Sequence, residues 1–104
     1  MDKRETLIKA LTNNLRTETV AVIHAAMEDS PRTVAFVNVE KTLTTKKKLE
    51  KAFMLTNSIE DAWYNSKKIT KMFEGTGCRS TMVGDMVLIG KEKFKVEPMG
   101  WSKV

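Results

Sequence analysis

The spacing of apolar residues changes along this chain, and that change constrains the fold more than any other feature. Near the start, Leu7, Ile8, Leu11 and Leu15 recur with the spacing of one face of an α-helix. Near the end, residues 93–98 alternate between charged and apolar side chains, which is typical of a β-strand with one exposed face. The sequence therefore predicts a mixed α+β domain.

A helical hairpin is predicted in the first 30 residues. Its first helix covers residues 3–16, and its second covers residues 18–28, where apolar residues follow helical spacing and three alanines favour helix. The run 20–23 is also compatible with a strand, because valine and isoleucine are β-branched. Length and the alanines favour the helix, and Pro31 ends it because proline disfavours helix in the residue before it.

A small sheet with one covering helix is predicted in the remainder. Three antiparallel strands are expected at residues 33–39, 85–89 and 93–98, with the last two forming a hairpin. A helix at residues 45–57, capped by Thr44 or Thr45, is expected to cross one face of the sheet. Two short helical pieces are expected between them, one carrying Trp63 and the other Ile69, Met72 and Phe73. The chain is expected to be a single domain at residues 1–104, with residues 1–30 as a helical extension and residues 33–104 as the α+β core.

The composition excludes several classes of protein. The chain has 104 residues, the length of one domain, with one cysteine and one histidine. An internal disulfide and a zinc site of cysteines and histidines are therefore excluded, and neither a metal nor another cofactor is predicted. No apolar run is long enough to cross a membrane, and the first residues lack the apolar region of a signal peptide. We expect a cytoplasmic protein without a membrane partner.

Positive charge is concentrated in the second part of the chain. The formal net charge is +5, and residues 41–104 hold 13 of the 18 basic and seven of the 13 acidic side chains. Such a basic region attracts nucleic acid or an acidic protein surface, unless its lysines serve only as a solvated face. Lysine outnumbers arginine by 14 to four. This ratio disfavours sequence-specific DNA recognition, because base reading prefers arginine.

Ten residues are candidates for contacting a partner or a nucleic acid. Lysines in the first turn of a helix oppose its dipole, so an anionic partner would explain those at residues 46–48. Trp63 either stacks on an unpaired base or anchors the core. Arg79, with two hydroxyl side chains after it, either contacts an anion or pairs with an internal carboxylate, and the Gly84-Asp85 step indicates a turn in which the aspartate bonds nearby amides. The ten candidates are Lys46, Lys47, Lys48, Lys51, Trp63, Lys67, Lys68, Arg79, Ser80 and Thr81.

No catalytic residue is predicted. Cys78 lies beside Arg79, which favours a thiolate, but a cysteine nucleophile also needs a base. The only histidine, His24, is in the other part of the chain, on or beside an apolar stripe. We therefore expect that the protein is not an enzyme.

Part of the sequence resembles a known group of proteins. The resemblance rests on residues 55–59 (LTNSI) followed by Trp63, residues 79–87 (RSTMVGDMV), residues 94–96 (FKV) and the pair Gly100-Trp101. This pattern resembles small uncharacterised proteins of bacteriophages and mobile elements, and its second segment resembles the YodL-like domain. The likeness covers about residues 33–104 and departs at Met82, where serine is usual. It implies a phage-type origin and a compact α+β core, without a common activity.

These observations lead to one predicted function and two alternatives. The prediction is a non-catalytic, phage-type accessory protein that binds a host protein and modulates or inhibits it. The first alternative is a basic module that binds RNA or single-stranded nucleic acid. The second, which has less support, is an enzyme that uses Cys78. The N-terminal helices are a candidate surface for a homo-oligomer.

Overall fold

The computed structural model describes residues 16–58 and 62–104, which form a six-stranded sheet and one α-helix. The first two strands precede the helix, a short 3₁₀ helix follows it, and four further strands complete the chain. The elements are β1 (Thr17–His24), β2 (Arg32–Glu40), α1 (Thr45–Leu55), the 3₁₀ helix (Trp63–Asn65), β3 (Ile69–Lys71), β4 (Met86–Ile89), β5 (Glu92–Glu97) and β6 (Gly100–Lys103).

All neighbouring strands of the sheet are antiparallel, in the order β3-β2-β1-β4-β5-β6. β1 is therefore paired on both sides, whereas β3 and β6 are the edges. One face of the sheet packs against α1, which buries Leu49 and Ala52 against it. The core consists of apolar residues from this face, from α1 and from the segment after it: Val20, Val22, Val34, Ala35, Val37, Val39, Leu49, Ala52, Trp63, Phe73 and Val87.

The prediction of an N-terminal helical hairpin is wrong, because residues 17–24 form β1 in the middle of the sheet. Val20, Val22 and His24 are fully buried at every second position, which is the period of a strand. The alanines favour helix only weakly, and burial of β-branched residues between two neighbouring strands outweighs that preference. Residues 17–24 are thus part of the sheet rather than of a helical extension, and residues 25–31 form the loop between β1 and β2. The predicted helix at residues 3–16 lies almost entirely outside the described residues.

The prediction of a three-stranded sheet is also wrong. The strand expected at residues 33–39 is present as β2, and the expected hairpin is present as β4 and β5. β2 is not a neighbour of that hairpin, however, because β1 lies between them. β3 replaces the second predicted helical piece, since the backbone of Ile69–Lys71 pairs with Val37, Phe36 and Ala35 of β2. β6 adds a further strand beside β5.

The predicted helix at residues 45–57 is present as α1. Thr44 is its N-cap, and its hydroxyl accepts a hydrogen bond from the Lys47 N–H at 3.2 Å. The helix ends at Leu55, where the Asn57 side chain donates to the carbonyl of Phe53. No helix in the described part of the chain is both long and apolar enough to span a membrane.

Candidate binding groove and a buried polar cluster

Asp85 fastens two distant segments of the chain to each other. Its side chain is fully buried. Oδ1 accepts hydrogen bonds from the N–H groups of Ala25 and Ala26 at 2.9 and 3.0 Å, just after β1, and Oδ2 accepts one from the N–H of Met82 at 2.8 Å. The loop after β1 is thereby held against the segment that leads into β4.

Arg79 pairs with the Asp85 carboxylate and neutralises its charge. Its guanidinium donates to Oδ2 and Oδ1 of Asp85 at 2.7 and 2.8 Å, and to Oε1 of Glu28 at 2.7 Å. Burial alone would raise the pKa of Asp85, but the Arg79 hydrogen bonds and the backbone N–H groups lower it to about 2. The same guanidinium lowers the pKa of Glu28. These contacts are those of an arginine that pairs with internal carboxylates.

The two hydroxyl residues after Arg79 are also engaged inside the molecule. The Ser80 hydroxyl accepts a hydrogen bond from the Ser58 N–H at 2.9 Å. Thr81 is buried, and its N–H donates to the Thr56 carbonyl at 3.0 Å. Both residues therefore connect the segment before β4 to the end of α1.

A chain of hydrogen bonds fixes the proton position on His24, which is fully buried. Thr56 Oγ1 donates to the Ala52 carbonyl at 2.8 Å, and Thr81 Oγ1 donates to Thr56 Oγ1 at 2.7 Å. The Thr81 hydroxyl has a single proton, which it donates to Thr56. Its oxygen therefore accepts a hydrogen bond from His24 Nε2 at 3.1 Å. The other ring nitrogen, Nδ1, is then an acceptor, and it lies 3.7 Å from the Sγ of Cys78.

The structure thus brings together the cysteine and the histidine that are far apart in sequence. Burial lowers the pKa of His24 and raises the pKa of Cys78. The pair is therefore a neutral imidazole accepting from a protonated thiol. A cysteine nucleophile needs the opposite arrangement, a thiolate beside an imidazolium.

Trp63 lies in the core with only 3% of its surface exposed. Its ring contacts those of His24, Tyr64 and Phe73 edge-on, and its indole N–H donates to the Arg79 carbonyl at 3.0 Å. The ring faces are thus surrounded by protein, and the contacts are those of a core anchor rather than of a base-stacking platform.

The candidate lysines do not form one patch. Successive helical residues are rotated by about 100°, so the run at the start of α1 is spread around the helix. Lys48 pairs with Glu18, whereas Lys47 and Lys51 line a shallow concavity that also contains two glutamates. Lys46 faces the other side of the helix, towards β6. Lys67 and Lys68 are exposed in the loop before β3.

A groove with a largely apolar lining, called the α1–β6 groove below, lies between α1 and β6. It comprises two adjoining cavities of about 470 and 300 Å³ that share Trp101 and Gly100. The larger is lined by Thr45, Lys46, Leu49, Phe94, Gly100, Trp101 and Lys103. The smaller is lined by Glu50, Phe53, Val83, Val96, Glu97, Pro98, Gly100 and Trp101.

Trp101 is the central residue of the α1–β6 groove. It is half-buried, and its ring meets that of Phe53 edge-on at 6.3 Å. The sequence predicts only that Trp101 folds back onto the core, and this groove is not predicted. The alternation of side chains along β5 and β6 indicates its position. Trp101 lies opposite Val96, so its side chain is on the sheet face that carries α1.

No protein-family model, no curated protein and no solved structure matches the chain. The resemblance to proteins of bacteriophages and mobile elements therefore stays a prediction. Among the residues that the structure describes, no three His, Cys, Asp or Glu side chains are grouped so that they could hold a metal ion.

Proposed function

We propose that this chain is a non-catalytic cytoplasmic protein that binds another protein and modulates its activity. If the resemblance to phage proteins reflects its origin, the partner is a protein of the bacterial host. The observation that carries the proposal is the α1–β6 groove, in which an aromatic side chain, apolar walls and lysines meet at an edge of the sheet. Aromatic residues in partly exposed concave sites are typical anchors of protein interfaces.

His24, Cys78, Arg79 and Asp85, called the buried polar cluster below, resemble catalytic residues most, and their contacts support a structural role. Asp85 accepts five hydrogen bonds, and Arg79 is held by two carboxylates. Cys78 and His24 form a neutral pair, since burial shifts their pKa values away from the charged forms. These groups stabilise the connection between β1, α1 and β4 rather than a reacting molecule.

Binding of RNA or single-stranded nucleic acid is the second candidate function. It is favoured by Lys46, Lys47, Lys67 and Lys68, which are exposed and form no ion pair with any carboxylate of the described residues. Such binding would weaken steeply with salt, because each phosphate contact releases a counterion. It would not require the groove.

Affinity purification separates these functions. The full chain, tagged and immobilised, is incubated with bacterial lysate with and without nuclease. The proposal predicts one partner protein in stoichiometric amount that is retained after nuclease treatment and at raised salt. Absence of any stoichiometric protein, or loss of every captured protein upon nuclease treatment, would contradict it. Replacing Cys78 with serine should leave capture unchanged.

A further inference from the structure

Along one side of β6, the backbone groups pair with no backbone group of residues 16–58 or 62–104. It pairs with β5 so that Gly100, Ser102 and Val104 face the bonding side, because the Val104 N–H donates to the Lys93 carbonyl at 2.8 Å and bonding residues alternate in an antiparallel pair. Trp101 and Lys103 therefore direct their N–H and C=O groups away from β5. None of the hydrogen bonds within the described chain uses these groups. Exposed edges of this kind are templates for an added strand.

The α1–β6 groove lies where the side chains of such an added strand would point. Trp101 and Lys103 share one face of the sheet, the face covered by α1. In a strand paired with β6, every second side chain would project towards the same face. Those side chains would enter the two cavities, one beside Leu49 and the other beside Phe53.

The charges around the larger cavity are positive. Lys46 and Lys103 both line it, and it lies at the N-terminal end of α1, where the helix dipole is positive. The first turn of α1 contains no acidic residue to offset this charge. Lys103 contacts Glu92 at 3.1 Å, but both side chains are more than half exposed, so a buried partner carboxylate can replace this pair.

On the basis of the proposed function, we propose that the α1–β6 groove binds an extended segment of the partner protein that carries an apolar side chain and a carboxylate on one face and adds to the sheet as a seventh strand beside β6. The main chain of this segment pairs with Trp101 and Lys103. A bulky apolar side chain packs against Trp101, and a carboxylate two residues away lies between Lys46 and Lys103. The alternation of a strand, about 7 Å between residues on one face, spans the two cavities.

A second copy of this chain fits the groove less well. Its own edge strand carries Lys103 and its net charge is also +5, so pairing of two β6 edges would bring like charges together. A single-stranded nucleic acid matches the lysines but cannot form the ladder of main-chain hydrogen bonds that the edge offers. Both are outcomes of the test below.

The probe is a synthetic peptide, acetyl-Gly-Glu-Thr-Phe-Thr-Glu-Gly-amide, titrated into the isotope-labelled full chain and followed by NMR. The two glutamates and the phenylalanine occupy one face when the peptide is extended. We expect shifts of the Trp101 and Lys103 amides and of the Trp101 indole. A peptide with glutamine at both glutamate positions should bind about tenfold more weakly, because it lacks the carboxylate that lies between Lys46 and Lys103.

Three substitutions test the separate elements of the site. Lys46→Glu should weaken peptide binding by about tenfold, whereas Lys67→Glu, an equal charge change outside the groove, should weaken it by less than about threefold. Lys103→Pro removes the N–H that points away from β5 and leaves the hydrogen bonds to β5 in place. The Lys103→Pro variant should therefore bind the peptide more weakly than the Lys103→Ala variant does. Trp101→Ala should lose most of the affinity.

The outcomes separate this inference from the proposed function. Equal effects of Lys46→Glu and Lys67→Glu, or equal binding by the Lys103→Pro and Lys103→Ala variants, would overturn the strand-addition site. So would an oligothymidylate that shifts the same amides as strongly as the peptide, or self-association of the free chain that occupies them. If lysate capture succeeds and is unaffected by Trp101→Ala and Lys46→Glu, the chain binds a protein elsewhere. If capture itself fails, the proposed function is wrong.

Discussion

Replacing Asp85 with asparagine tests whether the buried polar cluster holds the fold together. Asparagine has the same shape and keeps one oxygen, which can still accept from Ala25 and Ala26. Its amide group, however, would place two donor hydrogens where Oδ2 now accepts from Met82 and Arg79. The variant therefore loses two hydrogen bonds and leaves the Arg79 guanidinium with a single carboxylate.

The expected loss follows from these contacts. Removing one partner of a buried charged pair costs about 3–5 kcal/mol. The pKa of Asp85 gives a second figure, because a decrease from 3.8 to about 2 corresponds to about 2.5 kcal/mol of stabilisation by the ionised form. Glu28→Gln is the matched control. It keeps Oε1 as an acceptor at a more exposed position and should cost about 1 kcal/mol or less.

Urea unfolding at pH 7, followed by tryptophan fluorescence, measures both variants. Asp85→Asn should lower the free energy of unfolding several times more than Glu28→Gln does. In the unsubstituted chain the contribution of Asp85 is present above about pH 4 and is lost as the pH falls towards 2, because its pKa is lowered in the folded state. A loss below about 1 kcal/mol for Asp85→Asn would refute the view that this carboxylate fastens the two segments.

Three further predictions concern single residues. Because burial lowers the pKa of His24, the only histidine, the unfolded chain binds its proton more readily, so the free energy of unfolding should fall below about pH 6.5 by at most about 1.4 kcal/mol per pH unit. The free energy of unfolding of a His24→Gln variant, measured in urea at several pH values, should depend less on pH, and an equal pH dependence would contradict this. Gly75 and Gly84 both have φ of +97°, but only at Gly84 would a Cβ meet another residue, Ala26, at 3.0 Å. Gly75→Ala should cost about 1–3 kcal/mol and Gly84→Ala at least about 1 kcal/mol more, and equal losses in urea unfolding would count against the close approach. Burial raises the pKa of Cys78, so iodoacetamide should alkylate it more slowly in the native chain than in urea at pH 7.5, and equal rates would refute the protonated thiol.

The elements with strong local signals are predicted correctly from the sequence. The threonine cap and helical spacing of α1 lie within one segment, and the β4–β5 hairpin joins two adjacent strands. β1 is not predicted correctly, because residues 20–23 are compatible with helix and strand and the choice depends on pairing with both β2 and β4. β3 has only three residues, and its pairing with β2 is a long-range contact that its own sequence does not contain.

Only those contacts of the buried polar cluster that join residues close in sequence can be predicted from the sequence. The Gly84-Asp85 step predicts a bond between the aspartate and a nearby amide, and the Met82 N–H supplies it. The amides of Ala25 and Ala26 lie about 60 residues earlier and become neighbours only because β4 pairs with β1. The approach of Cys78 to His24 depends on the same pairing.

Amide hydrogen exchange at Trp101 and Lys103 tests the central proposal most directly. Both N–H groups point away from β5 in the free chain, so they should exchange rapidly, while those of Ser102 and Val104 should be protected. In the complex with the partner captured from lysate, Trp101 and Lys103 should become protected. Rapid exchange of both amides in a stoichiometric complex would contradict the proposal that β6 receives a strand from its partner.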